Sequence, residues 1–183
     1  MKRKLLILSV LAICLATLAA GTITFFTAEG KAHNVITTGG VEIAVQEWAD
    51  EAKTTPFEDL SGVVPNTTVT KIAEIKNTGA SDAWVRVKVE KNIKLQGEDA
   101  PDTGLVELTH NTADWTEKDG YYYYTKALKP GEVTAPIFTA VTFKADMGNE
   151  YQNATATVDV FAQAVQTANN GVTVMAAQGW PNA

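Results

Sequence analysis

The sequence predicts an all-β protein, in which an N-terminal signal helix precedes an antiparallel two-sheet sandwich. Three observations predict this class. Short runs rich in Val, Ile, Thr, Tyr and Phe alternate apolar and polar residues along most of the chain. Turn-forming Gly, Asn, Pro and Asp separate these runs. After the amino-terminal leader, no long segment shows the 3.6-residue period of an amphipathic helix.

The amino terminus has the layout of a secretory signal peptide. Residues 1–4 are a short basic region, residues 5–20 are apolar, and small residues follow. The alternative is an uncleaved membrane anchor, because the apolar stretch 5–26 would span about 33 Å as a helix. Cleavage is the favoured interpretation, so the signal peptide is predicted within residues 1–24, with the membrane as a partner only before processing.

The position of the cut is left open between residues 19 and 25. Ala19 and Ala20 belong to acceptable small-residue sites. A cut after Thr24 would expose Phe25 as the new amino terminus. A signal peptidase is therefore a predicted partner, and the mature chain begins with an aromatic tip if the later cut is used.

Removal of the leader makes the chain more acidic. The whole chain carries a net charge of −6, and losing the three basic leader residues, each worth +1, takes the charge to −9. Nucleic acid and anionic lipid are not expected partners, because they require a concentrated basic surface. The one cysteine, Cys14, lies in the leader, so the mature chain has no disulfide or thiolate site.

The alternation of side chains marks the expected strands. In the clearest run, Val85, Val87 and Val89 lie on one face and charged residues on the other, as in a sheet with one buried and one wet face. The other runs are 41–48, 68–77, 120–128, 135–145 and 153–166. Seven or eight such strands suit a two-layer β-sandwich of jelly-roll or immunoglobulin-like type, and their spacing does not distinguish the two.

The chain divides into four predicted parts. They are a signal peptide (1–24), a flexible donor segment (25–40), a β-sandwich domain (41–168) and a C-terminal strand and tail (169–183).

No residues of the mature chain form a recognisable catalytic set, so no catalytic, cofactor or metal residue is assigned and no enzyme is predicted. His33 and His110 are far apart, lie in expected loops and match no zinc-binding helix. Ser61 and Ser81 lie in turn-like contexts without a nucleophile elbow.

Two weaker features leave a binding function open. The acidic stretch QGEDAPDTG, residues 96–104, could bind calcium, although it lacks the alternating ligand spacing of calcium loops and a solvated, acidic turn is the favoured interpretation. Trp115, Tyr121 and Tyr123 form a candidate aromatic surface on which a sugar could stack, although strand packing also explains them.

Four stretches carry a resemblance through their order along the chain. They are GTITFFTAEGKAHNVITTGGVEI, VVPNTTVTKIAEIKNTGASDAWVRVKV, WTEKDGYYYYTKALKPGEVTAPIFTAVTF and FAQAVQTANN. The first resembles the leader-to-mature junction of the TasA/camelysin family of exported Gram-positive surface and biofilm-matrix proteins, and the others resemble that family's later segments in the same order.

The resemblance implies a jelly-roll fold, a dedicated signal peptidase and a location at the cell surface or in the biofilm matrix. It also implies fibres in which the mature amino terminus inserts as a strand into the next subunit. Some members are labelled metallopeptidases. The absence of a zinc motif in this sequence leaves a secreted metalloprotease as the third alternative only.

The amino-terminal segment suits this implied role. Residues 25–40 are apolar at the front and polar in the middle, and the expected donor residues are Phe25, Phe26, Thr27, Val35 and Ile36. A sandwich has sheet edges with unpaired backbone groups, to which an extended segment of a neighbour can add. The sequence therefore predicts a fibre subunit whose main partner is itself, with other matrix or cell-wall components as further candidates.

The competing interpretation is a monomeric surface module that binds carbohydrate or calcium. In that case the two phenylalanines of the amino-terminal tip would fold back on their own core.

Overall fold

The structure is a computed structural model that describes residues 35–37, 40–58, 65–95, 101–151 and 154–181. These residues all belong to one compact unit. Its strands are β1 (Val35–Thr37), β2 (Ile43–Trp48), β3 (Thr67–Asn77), β4 (Ala83–Lys94), β5 (Val106–His110), β6 (Trp115–Lys118), β7 (Tyr121–Tyr124), β8 (Phe138–Phe143) and β9 (Thr155–Gln166). Single 3-10 turns lie at Thr103–Leu105, Asn149–Tyr151 and Val174–Ala176. None of the described helices has the length and apolar character needed to cross a membrane.

The strands form two sheets that face each other. Sheet A has the order β1-β9-β4-β7-β6, and sheet B has the order β2-β3-β8-β5. All neighbouring strands are antiparallel except β1, which runs parallel to β9. The predicted all-β, two-sheet sandwich is confirmed, whereas the signal helix lies outside the described residues.

The core forms where the apolar faces of the two sheets meet. Val85 and Val87 of β4 are fully buried, as are Ala162 and Ala164 on the neighbouring strand β9. Sheet B contributes Phe138, which has no exposed surface and lies in the same cluster. The predicted alternation in these strands is therefore confirmed, because a residue period of two turns every second side chain toward the core.

Two strands were not expected from the sequence. The expected loop around His110 is the end of β5, and Trp115–Lys118, which the sequence did not mark as a strand, is β6. Both strands are short and mostly polar, with one fully buried side chain each, Val106 and Trp115. Their pairing with β8 and β7, rather than their own pattern, makes them strands.

The carboxyl-terminal segment differs from its prediction. Residues 169–181 contain a 3-10 turn and no strand, so the expected last strand is wrong for this part of the chain. The segment is also not loose, because Val174, Ala177 and Trp180 pack with Trp84 and Tyr123 on the outer face of sheet A.

His110 is partly buried at the edge of the core. Its ring stacks on Tyr122 with 4.5 Å between centroids, and its Nε2 lies 3.2 Å from the Tyr122 hydroxyl. Its Nδ1 is buried without a hydrogen-bond partner among the described residues. Burial lowers the pKa of His110 below the ordinary 6.5; Glu117 opposes this shift and Lys91 adds to it.

This environment predicts a loss of stability in mild acid. Because the folded state disfavours the imidazolium, the unfolded chain binds more protons between the lowered pKa and 6.5. The neutral His110 side chain therefore makes its full contribution to the free energy of unfolding above pH 6.5. This contribution falls as the pH drops toward the pKa of His110 in the folded state. Urea unfolding between about pH 5 and 8, the range in which histidine titrates, measures this loss of stability.

The matched variant is His110→Phe, which keeps an aromatic ring beside Tyr122 and removes the titration. Its free energy of unfolding should fall less between pH 7 and 5 than that of the unmodified chain. Parallel pH profiles for the two proteins would contradict the prediction.

Candidate strand-addition site

Among the described residues, one side of β9 is paired along only part of its length. β9 pairs with β4 along its whole length, Thr155–Gln166. On its other side β1 pairs only with residues 162–164. In the described part of the chain, no strand lies beside residues 155–161 on that side, which we call the acceptor edge. Unpaired strand edges are the sites where another strand can add.

Sheet B is also incomplete on this side of the sandwich. β2 pairs with residues 72–77 of β3 and ends at Trp48. Consequently, residues 67–71 of β3 have β8 on one side and no described strand on the other. The two sheets therefore lie open toward each other next to the acceptor edge.

A groove lies between the sheets at this open side. It is lined by Phe57, Val69, Lys71, Val141, Phe143 and residues 156–158. Its volume is about 20 Å³, which is room for about one water molecule. Ligand pockets measure roughly 300–1,000 Å³, so the groove in this form does not suit a sugar or another small molecule.

Lys71 reaches from β3 to the acceptor edge. Its side chain is 4% exposed, and its Nζ lies 3.0 Å from Oε1 of Glu47. The same ammonium donates to the backbone carbonyl of Val158 at 3.2 Å and lies 4.3 Å from the ring centre of Phe57. A buried ammonium is costly unless it is paired in this way.

The Lys71 contact also shows how the backbone of β9 is oriented. A side chain of the other sheet reaches the Val158 carbonyl, so this carbonyl points away from β4. Backbone groups of alternate residues point to the same side of a strand. Ala156 and Val160 therefore also present their N–H and C=O groups on the acceptor edge, whereas Thr157 and Asp159 face β4.

Part of the donor segment lies on the same side of β9. Val35 is opposite Ala162 and Ile36 is opposite Gln163, in parallel register. The remaining predicted donor and cleavage residues lie outside the described residues: Ala19, Ala20, Thr24, Phe25, Phe26 and Thr27.

The predicted aromatic surface is wrong for Trp115. This side chain is 3% exposed, faces the core and donates from Nε1 to the carbonyl of Ala135 at 3.0 Å. The cause is the register of β6, which places Trp115 opposite the buried Tyr124. Tyr121 and Tyr123 point to the outer face of sheet A, so the three rings do not form one surface.

The two outer tyrosines contact an arginine. The guanidinium of Arg86 lies 4.0 Å from the ring centre of Tyr121 and 4.7 Å from that of Trp180. Its Nε donates to Gln163 Oε1 at 2.7 Å. Its NH2 group donates to the carbonyl of Pro181 at 3.4 Å. These rings therefore hold the carboxyl-terminal segment against sheet A through cation–π contacts.

The acidic stretch has a local structural role where it is described. Asp102 accepts a hydrogen bond from the Gly104 amide at 2.8 Å and caps the 3-10 turn Thr103–Leu105. Glu98 and Asp99 lie outside the described residues. Among the residues that are described, no three His, Cys, Asp or Glu side chains are grouped so that they could hold a metal ion.

Sequence reasoning missed Glu47, Lys71 and Arg86. For the first two a signal existed, because Glu47 continues the inward series of Ile43 and Val45, and Lys71 falls between inward-facing residues of β3. A charge at an inward position indicates a buried ion pair or an open edge. No local signal marks Arg86, whose aromatic partners are remote in the sequence.

No protein-family model, no curated protein and no solved structure matches this chain.

Proposed function

We propose that this chain is a secreted structural subunit of a surface or biofilm-matrix fibre, in which the donor segment of one copy adds as a strand to the acceptor edge of the next. The observation that carries the proposal is that, among the described residues, β9 is incompletely paired beside a groove between the sheets. The proposal includes no enzymatic activity and no cofactor. Export, cleavage by a signal peptidase and the resemblance to the TasA/camelysin family are parts of the same proposal.

The free energy of association gained by adding a strand comes from many small contacts. The incoming backbone would bond to groups of Ala156, Val158 and Val160, and each net hydrogen bond contributes about 0.5–1.5 kcal/mol. A buried phenylalanine of the donor tip adds about 1.5–3 kcal/mol. Because the present groove holds about one water molecule, an aromatic ring requires the groove to open.

The position of β1 supports the choice of donor. The amino-terminal segment already lies against β9 of its own chain at residues 162–164. A second copy carries the same segment, so the edge can be completed by the chain itself or by a neighbour. When a neighbour completes it, each copy donates one segment and accepts one, and such head-to-tail contacts extend into a filament.

The strand pairing supports a jelly-roll connectivity as the finer form of the fold. β3 pairs with β8, and β4 pairs with β7, so early strands meet late strands in reverse order. This order is typical of an antiparallel ribbon that is rolled into two sheets. We therefore propose the jelly roll rather than the immunoglobulin-like alternative.

Deletion of residues 25–28 tests the proposal. A chain that begins at Phe25 should form filaments in negative-stain electron microscopy and sediment as large particles. The chain that lacks these four residues should remain a folded monomer, because it no longer carries the two phenylalanines of the donor tip. The matched control Thr27→Ser keeps both phenylalanines and should assemble normally. Equal assembly of the deleted and complete chains would contradict the proposal.

A further inference from the structure

Two side chains close the groove beside the acceptor edge. Lys71 spans the gap between β3 and β9, with Glu47 at one end of its ammonium and the Val158 carbonyl at the other. Phe57, from the loop after β2, lies against the same ammonium at 4.3 Å. Both Lys71 and Phe57 line the groove. An added strand would meet them first, because its side chains must enter this space.

We propose that the Glu47–Lys71 pair is a gate on the acceptor edge, which delays assembly until the donor segment of a second copy displaces Lys71 from the Val158 carbonyl. This inference rests on the proposed function and names the regulation of its site. The carbonyl of Val158 is an acceptor that an incoming strand needs. Although a carbonyl has two lone pairs, the stem of Lys71 also occupies the groove.

The contacts of Lys71 make the gate reversible. Among the described residues the ammonium has three partners, which are Glu47, the Val158 carbonyl and the Phe57 ring. The incoming strand competes with it only for the Val158 carbonyl. Glu47 remains available to the displaced ammonium, so the charge is not left unpaired, whereas the contact with the Phe57 ring is lost on displacement. Inward-pointing charges of this kind also protect an edge from pairing with unrelated strands.

The test compares assembly rates of the double variant Glu47→Gln/Lys71→Met with those of Glu47→Gln alone. Methionine preserves the length of the side chain but cannot bond to Val158, and glutamine avoids leaving a buried carboxylate without its lysine. We expect the double variant to nucleate about ten- to hundredfold faster than the unmodified chain, because one charged hydrogen bond no longer has to be broken. Light scattering and electron microscopy follow the lag time and the product.

The control Glu47→Gln should retain a lag, because its Lys71 still reaches Val158. An unchanged or longer lag in a double variant that unfolds at the native midpoint overturns the gate. If the double variant does not fold, the variant Phe57→Leu provides the test of the gate. It removes the ring from the ammonium, and it should shorten the lag about two- to fivefold. An unchanged lag in that variant overturns the inference.

Deletion of residues 25–28 in each background separates the two proposals. If the deleted chains stay monomeric while the gate variants assemble no faster than the unmodified chain, the gate alone is wrong. If the deleted chains assemble as fast as the complete ones, the donor segment is not the partner and the proposed function is wrong.

Discussion

Replacing Ala156 with proline should abolish filament formation and leave the monomer folded. Ala156 precedes Val158 by two residues, so its N–H points to the acceptor edge and is not used by β4. Proline removes this donor, and its ring adds bulk to the groove that Ala156 lines. We expect filament yield at equal protein concentration to fall by about 100-fold, since a net loss of about 3 kcal/mol corresponds to this factor.

The neighbouring residue supplies the control. The N–H of Thr157 points to β4, where Thr157 lies opposite Asn92. Thr157→Pro should therefore break the ladder between the two strands and lower the unfolding midpoint, whereas Ala156→Pro should not. The measurements are circular dichroism melts and electron microscopy of both variants. Normal filaments from Ala156→Pro would show that strand addition does not use this edge.

Phe138→Ala should be strongly destabilising, with a loss of about 3–5 kcal/mol in the free energy of unfolding. Phe138 begins β8 near the centre of sheet B, has no exposed surface and lies opposite Ala73. Its ring also packs edge-on against His110, with 6.2 Å between centroids. A small domain has about 5–15 kcal/mol of stability in total, so this loss removes a large share of it.

Thr139→Ala is the matched control for this substitution. Thr139 follows Phe138 on β8 and points to solvent on the other face of the strand. Its replacement should change the free energy of unfolding by less than about 0.5 kcal/mol. Urea denaturation of both variants gives the comparison. A loss below about 1 kcal/mol for Phe138→Ala would mean that the core collapses around the missing ring.

Part of the site could be predicted because it has a local signature. The predicted donor segment is an apolar tip followed by polar residues, and its residues Val35 and Ile36 lie in β1 beside β9 of the same chain, whereas their addition to a neighbouring copy stays a prediction. The acceptor edge could not be predicted. β9 has the same alternating pattern as β4, yet in the described part of the chain β4 has a strand on each side, whereas residues 155–161 of β9 have a strand on one side only.

The aromatic residues show the same limit. The two-residue period of a strand separates Tyr122 and Tyr124 from Tyr121 and Tyr123, and in the structure the first two lie with the core cluster and the other two on the outer face of sheet A. The face of Trp115 depends instead on the register between β6 and β7. A shift of one residue in that register would exchange the buried and exposed faces of β6.

The sequence by itself determined that this protein is built from strands and which side chains of its longer strands turn inward. Both properties follow from the two-residue period of a strand, which is visible in any short stretch. Only the tertiary structure decided which strands are edges, where β2 ends, and that Glu47, Lys71 and Val158 meet beside the groove. These outcomes depend on contacts between residues far apart in the chain. A local sequence pattern does not show which of the competing long-range contacts will form.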